Sequence, residues 1–217
     1  VVDAYTPAGI RCGTYYITTP GQYGFMPCYR DDDTTPALDG ALPGERIRFV
    51  VNGNPAIVMG PDDTLWTENG AIFNVNLFSG PVIHRVLHLP AGWNLISFDV
   101  MPLDPDIPDA LSSISGKYTR ILSFDCAAGA VSHYPTLPPS INTLDTLDAW
   151  HGYWIEMTEE KHLVIVGVEV PDDTPMALCE GYNLISYLPD GAQTVGAALA
   201  SIAGNFESVQ GFDPVLG

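Results

Sequence analysis

The sequence predicts a mainly β protein, with an N-terminal immunoglobulin-like β-sandwich over residues 1–80 and a β-rich repeat domain with two short helices over residues 81–217. Short apolar runs are separated by turn signals about every ten residues. The chain of 217 residues contains 19 Pro and 21 Gly. One long segment occurs twice in the second half. Many short strands between Gly- and Pro-rich turns are typical of β-sandwiches, and a repeat of this length indicates a supersecondary unit.

The first 80 residues are predicted to form a series of hairpins. Residues 46–51 (RIRFVV) precede the turn signal Asn52-Gly53, after which a second apolar run begins. Asn-Gly is the strongest short hairpin signal because both turn positions need positive φ. In residues 71–78 apolar side chains alternate with Asn74 and Asn76, the period of a strand with one buried face. The residues 78–81 (FSGP) give the best domain boundary.

The four cysteines allow three pairings. A hairpin over residues 12–28, with its turn at residues 19–22, would place Cys12 opposite Cys28 at a separation that a disulfide can close. Cys126 and Cys179 then either bond to each other or remain free thiols. No two cysteines have the Cys-x-x-Cys spacing, which disfavours zinc and dithiol redox sites. We therefore expect an oxidising compartment, extracellular or at the cell surface.

The repeat begins with AGWNLISFD at Ala91 and with EGYNLISYL at Glu180, an offset of 89 residues. We call residues 91–125 the first copy and residues 180–213 the second copy. After a Pro- and Asp-rich loop, each copy continues with a helix-like segment, where the offset is 88 residues. One loop residue fewer in the second copy accounts for the difference.

Each copy is predicted to run strand, loop, short helix, Gly, strand. Apolar residues fall on one helical face in both copies, and Gly116 and Gly204 stand where a helix C-terminus favours a left-handed residue. Residues 118–124 and 206–212 are predicted to resume as strands. Further strands are expected at residues 151–157 (HGYWIEM) and 162–170 (HLVIVGVEV). Each copy would pack against the next.

These motifs resemble a known family. The order GWNLIS, SISGKYTRILSFD and GYWIEM is similar to the repeat of large, multi-modular secreted proteins of environmental bacteria. The amino-terminal part, CGTYYITTPGQYGFMPCYRDDDTTPALDG and onward to WTENG, is similar to a β-sandwich module found beside such repeats. The resemblance implies an extracellular surface module without assigned catalytic residues.

The second copy departs from this pattern. By analogy with the first copy it would continue for about forty residues beyond Asp213 and finish with its own Gly-Tyr-Trp-Ile, whereas the sequence stops at Gly217. Either the chain is a fragment, or another molecule completes the second copy. An unpaired strand edge is a template for a strand from a neighbour. A head-to-tail contact that does not close on itself propagates into a filament or surface layer.

We therefore expect a non-catalytic structural or cell-surface protein that self-associates, with copies of itself or with other modules of the same chain. The net charge of -18, from 26 acidic and 8 basic residues, repels phosphate backbones and anionic lipid. Nucleic-acid partners are therefore not expected. No apolar run approaches the ~20 residues that span a bilayer, so membrane insertion is not expected either. No secretory leader is recognisable at Val1.

One loop suggests a metal. Asp31, Asp32, Asp33 and Asp39 lie close together in residues 30–40, and Ca²⁺ prefers six to eight oxygen ligands. The spacing is not that of an EF-hand. The alternative is a solvated turn whose carboxylates accept local backbone hydrogen bonds. No cofactor other than this Ca²⁺ is expected.

The sequence contains no recognisable catalytic constellation. His133, His151 and His162 are scattered without ligand spacing, and no nucleophile elbow or phosphate-binding loop is present. We therefore expect no enzymatic activity.

Aromatic residues support an alternative function, a carbohydrate-binding or adhesion module of a larger secreted protein. Trp150 and Trp154 flank the start of a predicted strand and could stack on a polysaccharide. Trp93 and Tyr182 occupy equivalent positions in the two copies, so a role in the core is expected for both.

Overall fold

The computed structural model describes residues 1–212, and the contacts divide the chain into two compact units, Val1–Val82 and Ile83–Gly217. Antiparallel strands in three sheets dominate the secondary structure, with only short helical segments between them. The predicted mainly β class is therefore confirmed. The predicted end of the second copy, from Asp213 onward, lies outside the described residues. Within residues 1–212 no helix is long and apolar enough to cross a membrane.

The first unit contains a five-stranded antiparallel sheet in the order β2-β1-β3-β4-β5. Its strands are β1 (Val2–Tyr5), β2 (Arg11–Tyr15), β3 (Arg48–Val51), β4 (Asn54–Pro61) and β5 (Val75–Ser79). β3 and β4 form the predicted hairpin, and its turn residues Asn52 and Gly53 have φ of 50° and 85°. The described strands of this unit form one sheet, so the immunoglobulin-like sandwich stays a prediction.

The Cys12–Cys28 disulfide is present as predicted, but the predicted hairpin is wrong in its second arm. β2 pairs with β1 rather than with residues 23–28, which form no strand. This segment instead runs so close to β2 that a Cβ on Gly13 would lie 2.6 Å from the carbonyl oxygen of Pro27. The disulfide thus joins β2 to an irregular segment, which covers part of the sheet core.

The second unit carries two sheets, ordered β10-β9-β11-β7 and β6-β12-β8. The strands are β6 (Val82–Leu89), β7 (Gly92–Ile96), β8 (Val100–Pro102), β9 (Tyr118–Asp125), β10 (Gly129–His133), β11 (Tyr153–Met157) and β12 (Lys161–Glu169). The strands predicted from GWNLIS, YTRILSF, GYWIEM and HLVIVGVEV all form.

The helical segment of the first copy lies in the core of the second unit. Helix α1 (Ile107–Ala110) continues through a residue at φ -97° into a 3-10 turn, Ser112–Ile114. Pro108 stands in the first turn of α1, where its missing N–H is tolerated. The buried residues around it come from both sheets; they are Leu89, Ile96, Phe98, Val100, Ile107, Ala110, Leu111, Ile114, Tyr118, Ile121, Leu147, Tyr153, Ile155, Met157, Leu163 and Ile165.

The second copy forms its helix but not its strands. Helix α2 (Val195–Ala198) and the 3-10 turn Ala200–Ile202 stand at the predicted place. Residues 206–212 form no strand, and the segment 181–186 makes only one bridge, Ile185 to His151. The prediction of strands here is therefore wrong for the described chain. A strand is stable only when a neighbour pairs with its backbone, and residues 1–212 supply no second neighbour.

Candidate functional site

The beginning of the second copy is bound to the first copy. The Cys126–Cys179 disulfide joins the turn after β9 to the residue before the second repeat motif, which settles the pairing that the sequence left open. The backbone of Gly152 donates to Leu184 at 2.9 Å, and the backbone of Ser186 donates to Trp150 at 3.0 Å. These contacts form a junction between the copies.

Equivalent residues of the two copies meet at this junction. The Ser186 hydroxyl donates to the Phe98 carbonyl at 3.1 Å, and the Tyr187 amide donates to the Ser97 hydroxyl at 3.5 Å. Ser186 is 3% exposed. The serines of the two NLIS motifs therefore each bond to the copy that faces them.

A polar cluster closes the same junction. Arg85 of β6 donates to Asp99 (Nε–Oδ1 2.6 Å), to Asp190 at 2.8 Å and to Glu169 at 3.4 Å. The hydrogen bonds to Asp99 raise the pKa of the guanidinium. The cluster lies in a cleft of about 250 Å³ whose walls also include Tyr187. Sequence reasoning missed this cluster because its members come from distant segments and have no characteristic spacing.

The two copies have the same local structure beside this junction. The side-chain amide of Asn94 donates to the carbonyls of Pro90 and Gly92, at 2.9 and 3.0 Å. Asn183 donates to the carbonyls of Cys179 and Gly181, at 2.9 and 3.1 Å. Gly92 and Gly181 have φ of 94° and 93°. The start of the motif is thus encoded locally, by a left-handed Gly and an Asn that bonds to nearby backbone.

The helical segments match as well. The residues after α1 and α2 are Leu111 and Leu199, with φ, ψ of -97°, 15° and -104°, 16°. The glycines predicted to end each segment, Gly116 and Gly204, both have positive φ. Thr194 caps α2, since its hydroxyl accepts from the Ala197 amide at 3.3 Å. The second helix therefore forms although none of its residues is buried.

The apolar positions that the first copy buries are more exposed in the second copy. The pairs, with their exposed fractions, are Ile96 (7%) and Ile185 (38%), Ile107 (0%) and Val195 (58%), Tyr118 (6%) and Phe206 (41%), and Ile121 (0%) and Val209 (53%). We call Ile185, Val195, Phe206 and Val209, with the half-buried Leu199 and Ile202, the open face. Their equivalents in the first copy share one core, and exposed apolar residues that form a patch mark interaction surfaces.

An unpaired strand edge accompanies the open face. Backbone groups of successive residues in an antiparallel strand point to opposite edges. Leu184 and Ser186 use their groups at the junction, so those of Asn183 and Ile185 point the other way. In the described part of the chain no backbone group bonds to the N–H or C=O of Asn183 or Ile185. The open face thus combines apolar side chains with free donors and acceptors.

The aspartates of the predicted calcium loop are engaged in the loop itself. The Asp32 carboxylate accepts from the Thr34 amide at 2.9 Å and from its hydroxyl at 2.7 Å. These bonds lower the pKa of Asp32. Asp31 accepts from the Asp39 amide at 2.7 Å, and Asp39 from the Asp32 amide at 3.1 Å.

The remaining aspartate, Asp33, forms an ion pair with Arg30 at 3.0 Å. Nowhere in residues 1–212 do three or more His, Cys, Asp or Glu side chains form a group that could hold a metal ion. Local hydrogen bonds therefore account for the loop, and Ca²⁺ stays a prediction.

The three histidines do not converge. His133 is buried, with Nδ1 3.2 Å from the Leu144 carbonyl oxygen, and the ring of His162 lies 5.2 Å from that of His88. His151 lies at the junction, with Nδ1 2.8 Å from Oδ2 of Asp148. This hydrogen bond raises the pKa of His151.

Trp93 and Trp154 lie on the outer face of the four-stranded sheet. Trp154 packs edge to face against Trp93 and Phe212, with centroids 6.2 and 4.8 Å apart, and Arg120 lies 4.9 Å above the Trp93 ring. Trp150 and Trp154 are half-buried.

The prediction of a role in the core is wrong for Tyr182, the residue equivalent to Trp93. Tyr182 is 85% exposed, because the second copy offers it no strand equivalent to β11. Trp93 itself is half-buried beside Trp154 rather than within the core.

Comparisons with protein-family models, with curated proteins and with solved structures found no match.

Proposed function

We propose that this chain is a non-catalytic structural module of an extracellular or cell-surface protein, which joins end to end with further units of its own kind. The observation that carries the proposal is the open face of the second copy. Its motif start and helical segment repeat the backbone structure of the first copy, while the residues that the first copy buries are exposed or half-buried. A preformed unit with an uncovered apolar side is suited to assembly.

The geometry of the open face favours head-to-tail growth. It lies on the second copy, whereas the equivalent side of the first copy is covered by β11 and β12. The contact would therefore join two different surfaces, and such heterologous contacts build open arrays unless their rotation closes a ring. A filament or surface layer is the expected product.

An extracellular setting suits the covalent structure and the charge. Two disulfides are typical of proteins that mature in an oxidising compartment. A net charge of -18 opposes non-specific aggregation, because like-charged chains repel one another. The sequence resemblance to secreted multi-modular surface proteins supports the same setting.

Sedimentation velocity and negative-stain microscopy of the native chain test this proposal. We expect concentration-dependent species larger than the 23.4 kDa monomer, and regular fibres or sheets at high concentration. Val195→Asp with Phe206→Asp should abolish them, because both side chains belong to the open face. The matched control is Ile141→Asp, which changes an exposed Ile (54%) elsewhere in the second unit. Monodisperse monomers at all concentrations would contradict the proposal.

Carbohydrate binding is a second candidate. The outer face of the four-stranded sheet carries Trp93 and Trp154 next to the ion pair of Arg120 and Glu156 (2.9 Å), a combination of ring surface and polar groups that suits a sugar. Retention on an insoluble polysaccharide, lost in Trp150→Ala or Trp154→Ala, would support it. No retention on any polysaccharide tested would reject it.

A further inference from the structure

We infer that the open face is completed by a two-stranded antiparallel hairpin of the kind formed by β11 and β12, contributed by a further repeat of this sequence type. The inference rests on the proposed function and names the partner surface. The first copy shows how the matching motif start and helical segment are covered when a hairpin is present.

In the first copy, β11 and β12 provide the apolar cover. Ile155, Leu163 and Ile165 are at most 1% exposed and pack in the same core as Ile107 and Ile114. These isoleucines of the helical segment correspond to Val195 and Ile202 of the open face. An incoming hairpin with apolar residues at the same spacing would bury the equivalent side.

The backbone register of the cover is also defined. β11 pairs with β7, so that Ile155 lies opposite Asn94 and Tyr153 lies opposite Ile96. The equivalents of Asn94 and Ile96 are Asn183 and Ile185, whose backbone groups form the unpaired edge. Strand addition at such an edge combines main-chain hydrogen bonds with pockets for alternate side chains. The hairpin therefore has one expected position.

A serine marks the expected contact of the second strand. In the first copy the amide of Val164 in β12 donates to the Ser113 hydroxyl at 3.0 Å. The equivalent residue in the second copy is Ser201, which is exposed. No donor within the described residues occupies the place that Val164 has beside Ser113. Ser201 is thus available to an incoming strand.

The hairpin of the described chain is already in use. β11 lies between β9 and β7, and β12 lies between β6 and β8, so neither strand has a free edge to offer. Moving them would expose Ile107 and Ile114 of the first copy. The occupant is therefore the hairpin of another repeat, and residues 144–170 of this sequence are a model of its chemistry.

The test extends the chain at its C-terminal end. In the extended chain, residues 214–217 are replaced by a duplicate of residues 126–170, which follows Asp213 directly. The duplicate carries Cys126→Ser. The readouts are dye binding to exposed apolar surface and hydrogen exchange of the Leu199 and Ile202 amides, which are bonded within α2 and its following turn. We expect exchange at both amides to slow by about 100-fold or more, because the open face becomes part of a core.

The matched control carries Leu163→Asp and Ile165→Asp in the added segment only, and it should show the exchange of the unmodified chain. Ser201→Ala in the extended chain should abolish part of the protection that the added segment provides. A second extended chain carries only residues 149–170 behind a Gly-Ser linker. The inference is overturned if this shorter version gains no protection and the longer one either slows exchange less than threefold or is insoluble while its control is soluble.

The two proposals fail separately. Self-association is measured on the unmodified chain, whereas cover of the open face is measured on the extended one. A monomeric native chain whose extended form gains protection contradicts assembly and supports the hairpin. A native chain that assembles, with no protection gained in the extended form, supports assembly and contradicts the hairpin.

Discussion

The two copies of the repeat share the local structure of their motif start and helical segment, but these parts lie in two different environments. Asn94 and Asn183 make the same pair of backbone hydrogen bonds, and both helical segments pass through the same turn geometry. Ile107 is nevertheless fully buried, whereas its equivalent Val195 is 58% exposed. Turns, caps and short helices follow from nearby residues, while strands and burial require partners that lie far away in sequence.

The largest loss of stability is expected when the disulfide that joins the copies is removed. The Cys126–Cys179 link closes a separation of 53 residues, which includes β10, β11 and β12. Cys126→Ser with Cys179→Ser should lower the free energy of unfolding of the second unit by about 4 kcal/mol, from the loop entropy of the unfolded chain. Urea unfolding followed by fluorescence measures it. Cys12→Ser with Cys28→Ser should leave that transition unchanged, and a loss below about 1 kcal/mol in the first variant would contradict the expectation.

Truncating equivalent apolar residues tests the comparison directly. Ile107→Ala removes a fully buried side chain and should lower the free energy of unfolding of the second unit by about 3 kcal/mol. Val195→Ala should change it by no more than about 0.5 kcal/mol, as is usual for exposed positions. The measurement is urea unfolding at a concentration where the chain is monomeric. Equal losses for the two variants would show that both positions are buried.

The paired serines are expected to give a smaller effect. Ser113→Ala removes the acceptor for the Val164 amide and should cost about 1 kcal/mol. Ser201→Ala in the native chain should cost nothing measurable, since no donor in the described residues reaches that hydroxyl. Thermal unfolding of the two variants, measured side by side, distinguishes the positions. A loss at Ser201 as large as that at Ser113 would contradict the difference between the copies.

The smallest effect concerns pH at the junction. The hydrogen bond to Asp148 raises the pKa of His151 against the opposing effect of burial, with the charges of Asp148 and Asp125 adding to the rise. A folded pKa above the unfolded value of about 6.5 gives stability that is complete below about pH 6.5. This stability is lost as pH rises through the folded pKa.

We therefore expect the second unit to lose at most about 1 kcal/mol as pH rises from about 6 to 8, and His151→Gln to flatten that slope. Thermal unfolding at a series of pH values checks both. Stability that increases with pH in the native chain, and not in the variant, would contradict the assignment.

Local signals in the sequence predicted the turns and helices correctly, and the failures concern pairing. Asn52-Gly53 predicted its hairpin because the turn itself demands positive φ. The segment 23–28 was predicted as a strand because a hairpin turning at residues 19–22 would place Cys28 opposite Cys12, yet β2 pairs with β1 instead. Residues 206–212 have the pattern of β9, but no strand of the described chain pairs with them, so the pattern alone did not make a strand.

The candidate site could be predicted only in part, because it too depends on contacts between segments that lie far apart in sequence. The repeat indicated that the second copy needs a cover, and the motif gave equivalent residues such as Ile114 and Ile202. The junction could not be predicted, because Arg85 meets Asp99, Glu169 and Asp190 from three separate segments. Exposure of Tyr182 could not be predicted either, since it depends on a strand absent from the described chain.

Amide hydrogen exchange of the two helical segments tests the central claim most directly. It is measured on the monomeric native chain at low concentration, where both segments experience the same solution. The account predicts slow exchange at Leu111 and Ile114, which lie in the core, and exchange at Leu199 and Ile202 at least about 100-fold faster, because their segment is open to water. Equal protection of the two segments in the monomer would contradict the open face, and with it the proposed mode of assembly.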